Sequence, residues 1–316
     1  MTAASAPEMT AASGFSRLIK IEERFATGEW PESRAREACR GLESGHIVFL
    51  PSSPIEIPSE DQELLLGRKQ SSSAYHKNIA YRPLEDRVTG LDRSEAEEAE
   101  KLRRILRTYS QRSVEFLKSF LAPYAGKWKL EFASFRPIEE RGRTARLHAR
   151  NDLLHFDSFP TRPTNGARIL RFFTNINPTQ NRVWLTSQTF EAFGPRMVQA
   201  GGLASSLNNP LLQGMHSLAR ALHFRGANRS PYDDLMHRCH NVMKEDVNFQ
   251  EKTPKNRWEF PPNSSWMVFT DCVSHAVLSG QYALEQTFLV PQSALVEPQR
   301  SPLAILESLT GRRLTV

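Results

Sequence analysis

From Trp128 to Pro291 the sequence breaks into short stretches of strand character separated by turn signals, and this pattern limits the fold more than any other feature. The stretches are WKLEFASFRP from Trp128, RTARLHAR from Arg143, LLHFDSF from Leu153, ARILRFFTNI from Ala167, RVWLTSQTF from Arg182, SSWMVFTDCVSHAVLSG from Ser264 and YALEQTFLVP from Tyr282. Between them lie Asn165-Gly166, Asn177-Pro178 and further proline-rich turns. Many short strands joined in this way predict a sandwich or jelly roll.

Helical patterns surround that core. SEAEEAEKLRRILRTYSQRSVEFLKSFLAPYAG places Ser94 three residues before Glu97, the spacing of a capping box, with acids early and bases later as the helix dipole favours. It predicts a long helix ending at about residue 122, with Leu102, Ile105, Leu106, Tyr109, Phe116, Leu117 and Phe120 as its core-facing stripe. Upstream, PESRAREACRGLES predicts a helix beginning at Pro31, and GHIVFLP a strand ending at Pro51. An insertion over about 191–250 reads as helical, with Ser230 as cap and Pro231 in the first turn of SPYDDLMHRCHNVMKED. The expected organisation is a disordered tail (1–14), a mainly helical region packed on the core (15–125), the strand core with its insertion (126–300) and a C-terminal tail (301–316). The fold class expected is α+β, a jelly-roll core with flanking helices.

At 316 residues and 39% hydrophobic content the chain can bury a full core. Cys39, Cys239 and Cys272 are odd in number and unpaired in spacing, which favours a reducing compartment over a disulfide framework. No stretch approaches the roughly 20 apolar residues of a membrane helix. The opening MTAASAPEMTAASGFS lacks the basic and apolar regions of a secretion signal and reads as a frayed tail. The net charge of +6 suits an anionic partner. Nucleic acid is not expected to be that partner, because no helix concentrates bases beside aromatics in a reader motif.

Chemistry concentrates at His155-Phe156-Asp157. Two residues apart on a strand, both side chains leave the same face and could share one metal. Alone the pair is weak: nine histidines and 35 acidic residues in 316 supply about one such spacing by chance. A third ligand must come from elsewhere, as in the 2-His-1-carboxylate triad of non-haem Fe(II) oxygenases. His216, His223, His237 and His240 fall in helical patterns, and HRCH at 237–240 has no cysteine spaced to complete a zinc site. His275 instead sits within two strand-like runs interrupted at Gly280, and it completes a His-x-Asp…His set.

That set, followed by VLSG, resembles the Fe(II)- and 2-oxoglutarate-dependent dioxygenases over roughly residues 126–292. Within it, RNDLLHFDSFPTRPTNGARILRFFTNINP resembles the 3-deoxy-D-manno-oct-2-ulosonic acid (Kdo) hydroxylase family. The resemblance implies a double-stranded β-helix, iron held by His155, Asp157 and His275, 2-oxoglutarate and O₂ as co-substrates, and a supportive role for ascorbate. It implies hydroxylation at C3 of Kdo on lipid A by a cytoplasmic protein working peripherally at the inner face of the bacterial inner membrane. Alternatives are the same chemistry on a protein or small molecule, and a non-catalytic jelly roll binding an acidic sugar.

Such enzymes hold the far carboxylate of 2-oxoglutarate on a basic residue, often about ten positions after the distal histidine. Here Ala276 to Gln299 contains no Lys or Arg. Another branch places the base on the strand after the His-x-Asp pair, which makes Arg171 the candidate; Arg168, three residues away, faces opposite. A guanidinium within Ile169-Leu170-Arg171-Phe172-Phe173 needs an anion. Between Arg136 and Arg182 there are nine arginines, no lysine and four acids, a bias that suits planar recognition of carboxylate or phosphate. Arg146, His148 and Arg150, alternating on an expected strand, and Arg162 form the candidate surface for the acidic glycolipid.

Overall fold

The computed structural model describes residues 14–22, 30–68, 78–91, 96–200 and 229–315. In chain order the elements are β1 (Leu18–Lys20), α1 (Glu32–Glu43), β2 (Ile47–Leu50), α2 (Ser59–Leu66), β3 (Ile79–Arg82), β4 (Arg87–Thr89), α3 (Ala96–Phe120) and β5 (Lys129–Arg136). They continue with β6 (Arg168–Asn175), β7 (Arg182–Thr189), α4 (Phe190–Ala200), α5 (Pro231–Glu245), α6 (Val247–Lys252), β8 (Asn256–Phe260), β9 (Ser265–Phe269), β10 (Val273–Ser279), β11 (Ala283–Val290) and α7 (Pro302–Thr310).

The strands form an eight-stranded sheet, ordered β1-β2-β9-β6-β11-β5-β3-β4, and a three-stranded sheet, β10-β7-β8. The chain is thus a mixed α/β protein built on one large sheet. The two sheets meet through aromatic side chains: Trp184 of β7 lies edge-on to Phe173 of β6 at 5.0 Å and to Trp266 of β9 at 5.8 Å between ring centroids. Alternation along β6 sends Arg171 and Phe173 towards the small sheet and Leu170, Phe172 and Thr174 the other way. On that other side α3 packs, with Phe116 against Phe172 at 5.9 Å and the Tyr109 hydroxyl 3.3 Å from Thr174 Oγ1.

The stripe expected on α3 is buried at Leu102, Ile105, Leu106, Tyr109, Leu117 and Phe120, with Phe116 half-buried at its edge. Ser94, the expected cap, lies outside the described residues. The cap of α5 forms as expected: the Asp233 backbone N–H donates to Ser230 Oγ while the Asp233 carboxylate accepts from the Ser230 backbone N–H.

Several expected boundaries shift. Region 15–125 is more than helical packing, since β1–β4 extend the large sheet at both edges and one continuous core runs from Ala38 through Phe135 to Leu306. Residues 301–316 are not a tail: Ser301 caps α7, which buries Leu303 and Leu306. RTARLHAR forms no strand; it is exposed or half-buried and holds only a 3₁₀ turn at Leu147–Ala149, and the one large apolar side chain of its Ala145-Leu147-Ala149 alternation, Leu147, stays 44% exposed, so no face is buried. The Ser264–Gly280 run is two strands, broken at Thr270-Asp271-Cys272. The tail's residues 1–13, together with His216 and His223, lie outside the described residues.

Candidate metal centre

His155 is joined to β10 by a single antiparallel bridge. Its backbone N–H donates to His275 O, and its carbonyl oxygen accepts from the His275 backbone N–H, both at 3.0 Å. The Asp157 backbone N–H is fixed by Thr270 O at 2.8 Å. This pairing sets the two imidazoles side by side, ring centroids 4.6 Å apart, with the Asp157 carboxylate between them. His155 Nε2 lies 3.7 Å from Asp157 Oδ1 and His275 Nε2 lies 3.9 Å from Asp157 Oδ2. One donor atom from each residue falls within 4.8 Å of the other two.

The imidazole orientations are set by backbone carbonyls. His155 Nδ1 is 2.8 Å from Leu153 O, and His275 Nδ1 is 2.9 Å from Val273 O. A carbonyl only accepts, so each Nδ1 carries the proton and each Nε2 presents a lone pair to the centre. Burial lowers the pKa of both histidines, helped at His155 by the neighbouring His275. Burial would raise Asp157, yet the Arg171 guanidinium and the two imidazoles hold its carboxyl well below the usual carboxylate range. Two neutral imidazoles and one carboxylate are the protonation states a divalent metal requires. Asp157 Oδ2 is also buried without a hydrogen bond. The donor set therefore fits a 2-His-1-carboxylate metal site.

Arg136, Asn151, Arg171, Phe173, Arg182, Trp184 and Val277 line the same cleft. Trp184 stacks on His275 at 5.3 Å and walls one side. Arg171 points inward as expected, but two protein carboxylates already meet it. Its Nε is 3.1 Å from Asp157 Oδ2 and its Nη1 2.9 Å from Glu285 Oε1. Arg136 donates from Nε to Glu285 Oε2 at 2.8 Å, so Glu285 lies between two guanidinium groups. Arg168 faces opposite and is wholly buried, its Nε 2.8 Å from Asp271 Oδ2 and its guanidinium 4.2 Å from the Phe269 ring.

The expected glycolipid surface is more divided. Arg162 is pinned between Phe132 and Phe159, each 4.2 Å away, with Nη1 2.6 Å from Glu131 Oε2. That arrangement holds its guanidinium against the protein, with the side chain 34% accessible. His148 pairs with Glu245 at 2.6 Å and Arg150 with Asp152 at 2.6 Å, while Arg146 is exposed. His240 packs its ring 5.0 Å from His155 but directs Nδ1 to Phe156 O and Nε2 to His148 O. It is a neighbour of the metal donors and stands outside their group.

Sequence reasoning missed Arg136, Arg182, Trp184 and Glu285. The signal for the β7 pair was present, since Arg182 and Trp184 are two apart on a strand and must share a face.

A family model described as 3-deoxy-D-manno-oct-2-ulosonic acid (Kdo) hydroxylase matches residues 27–313. Among solved structures, the chain is similar to the Kdo hydroxylase KdoO, a non-haem Fe(II) α-ketoglutarate-dependent dioxygenase, in complex with α-ketoglutarate and Fe(III). The identity is 31%, covering 94% of this chain and 97% of that one, with a TM-score of 0.80. The apo form of KdoO matches at 31% identity and TM-score 0.81, and its complex with succinate and Fe(III) at 31% and 0.80, with the same coverage of both chains. A search of curated protein sequences gives no match.

Proposed function

This chain belongs to the Kdo hydroxylase family and is an Fe(II)- and 2-oxoglutarate-dependent dioxygenase, and from that premise we propose that it hydroxylates C3 of a Kdo sugar carried on lipid A. The observation that carries the reading is the convergence of His155 Nε2, Asp157 and His275 Nε2 within 4.8 Å, in protonation states suited to metal.

His155, Asp157 and His275 hold the iron in this reading. When bound, iron and 2-oxoglutarate supply the oxidising chemistry, one oxygen atom of O₂ leaving in succinate, formed with CO₂, and the other becoming the sugar hydroxyl. The chain's own residues orient and protect. Leu153 O and Val273 O keep both Nε2 atoms turned inward. Arg171 holds Asp157 Oδ2 from behind, which leaves Oδ1 towards His155. Trp184 and Phe173 form an apolar wall that excludes water.

We read the two sheets as a double-stranded β-helix. From β5 onwards the segments run large sheet, small (His155), large (β6), small (β7, β8), large (β9), small (β10), large (β11), which supports that winding. Among the described residues no helix is long and apolar enough to cross a membrane. With a lipid-anchored sugar as substrate, the protein would work peripherally at the cytoplasmic face of the inner membrane, and its net charge of +6 favours an anionic surface. Incubation of Kdo-lipid A with protein, Fe(II), ascorbate and 2-oxoglutarate tests the reading, with mass spectrometry locating the added oxygen.

A further inference from the structure

The segment that carries His155 and Asp157 is fastened to its neighbours along one edge by backbone bonds. Val277 N–H donates to Asn151 O at 2.8 Å, His155 exchanges both of its backbone bonds with His275 at 3.0 Å, and Asp157 N–H donates to Thr270 O at 2.8 Å. In extended backbone the N–H and C=O of one residue point to one edge and those of the next residue to the other, so the even-numbered residues turn away from β10. Among the described residues no strand pairs with that second edge. Leu154 and Phe156 are nevertheless buried, so their backbone groups need partners from the protein.

Side chains of α5 and α6 supply them. Lys244 Nζ donates to His148 O at 2.9 Å and to Arg150 O at 2.7 Å, and His240 Nδ1 meets Phe156 O at 2.8 Å. Gln250 of α6 serves both groups of one residue: its Oε1 accepts from Leu154 N–H and its Nε2 donates to Leu154 O, each at 2.9 Å. That is the pair of bonds a strand residue would make, reproduced by one side-chain amide. The second Nε2 proton goes to Met243 O at 2.8 Å, so two carbonyls fix which way the amide faces. Its helix is held in turn, with the Asp246 carboxylate accepting from Phe249 N–H at 2.9 Å and the Phe249 ring 5.4 Å from Phe193.

Leu154 C=O and His155 N–H belong to one planar peptide unit. Gln250 Nε2 holds its oxygen from one edge and His275 O holds its N–H from the other, which fixes the plane from which the His155 side chain departs. We propose that Gln250 is a positioning residue for the metal centre, its amide standing in for a missing strand and setting the direction of His155 through the 154–155 peptide; this rests on the dioxygenase reading above. The helices α5 and α6 thereby act on the iron site without touching the metal.

Fe(II) affinity is measured by anaerobic titration, with thermal unfolding of the metal-free protein recorded beside it. Gln250→Met keeps the length of the side chain and removes both bonds to Leu154, and it should weaken Fe(II) binding on the order of tenfold, the size of effect that groups supporting a ligand exert on a metal site. Gln250→Glu keeps an acceptor for Leu154 N–H but has no proton for Leu154 O when ionised, so its affinity should fall between the two; it carries the test if Gln250→Met does not fold. Glu43→Ala separates positioning from stability. Buried Glu43 accepts from the Tyr124 hydroxyl at 2.6 Å and from Val296 N–H at 2.9 Å, outside the residues that line the cleft, so its loss should lower the unfolding temperature and leave Fe(II) affinity as it was. Wild-type Fe(II) affinity in the Gln250 variants overturns the inference, and so does an equal loss of affinity in Glu43→Ala. Failure of the dioxygenase reading looks different, because wild type itself would then bind no Fe(II), and the inference would fall with it.

Discussion

Arg171 Nε lies 3.1 Å from Asp157 Oδ2, and through Nη1, 2.9 Å from Glu285 Oε1, the same guanidinium joins a metal-site carboxylate to a buried acid on the neighbouring strand. Its partners are built into the protein. Replacing Arg171 by Ala leaves two buried carboxylates without their shared cation, a change that costs about 3 to 5 kcal/mol in comparable buried pairs. Thermal unfolding should therefore shift down markedly, and Fe(II) affinity should fall because Asp157 loses its orientation. Arg171→Lys should retain part of the stability, since an ammonium keeps a positive charge between Asp157 and Glu285 but lacks the planar fork. Stability and metal affinity equal to wild type in Arg171→Ala would refute this role.

The metal donors give a sharper expectation. His155→Ala, Asp157→Ala and His275→Ala should each lose tight Fe(II) binding, read by anaerobic titration. His240→Ala should retain it, because both His240 nitrogens face backbone carbonyls. Loss in His240→Ala with retention in His275→Ala would move the distal ligand to α5.

Much of this centre was legible in the sequence. A His-x-Asp pair on extended backbone can present only one face, and a distal histidine before a glycine break marks the strand that closes beside it. Arg171 was legible as an inward charge but its partner was not. Glu285 lies 114 residues later, and only the β6–β11 register, which sets Glu285 opposite Phe173 and Thr287 opposite Arg171, brings them together. Arg146, His148 and Arg150 misled for the opposite reason. The residues between them, Leu147 and Ala149, are too few to bury a face, Leu147 staying 44% exposed, and the segment settled as a turn. β2 was read from GHIVFLP, but β1, β3 and β4 were hidden because pieces of three or four residues added at sheet edges leave almost no periodic signal.

Arg168 and Asp271 form a second buried pair, 2.8 Å apart and both nearly inaccessible, on the far face of β6. Asp271→Ala leaves that guanidinium uncompensated and should destabilise by about 3 to 5 kcal/mol. Fe(II) binding should survive in the folded fraction, as the pair lies away from the cleft. Wild-type stability in Asp271→Ala would contradict this role.

The exposed Arg150–Asp152 pair is different in kind, with side chains 39% and 37% accessible. Arg150→Ala should change stability by less than about 1 kcal/mol. If this surface meets the acidic glycolipid, Arg146→Ala with Arg150→Ala should weaken Kdo-lipid A binding, more at low salt than at high, because ions screen exposed charges. Binding that is equal to wild type at low salt would remove these residues from the substrate surface.

The central claim is tested most directly by following Kdo-lipid A and 2-oxoglutarate together in one reaction. With Fe(II), ascorbate and O₂, wild type should add a single oxygen atom to the Kdo moiety, at C3, and release one succinate per hydroxylated sugar, while Asp157→Ala does neither. Mass spectrometry showing unmodified Kdo-lipid A, in a reaction where the same protein binds Fe(II) and converts 2-oxoglutarate to succinate, would contradict the account.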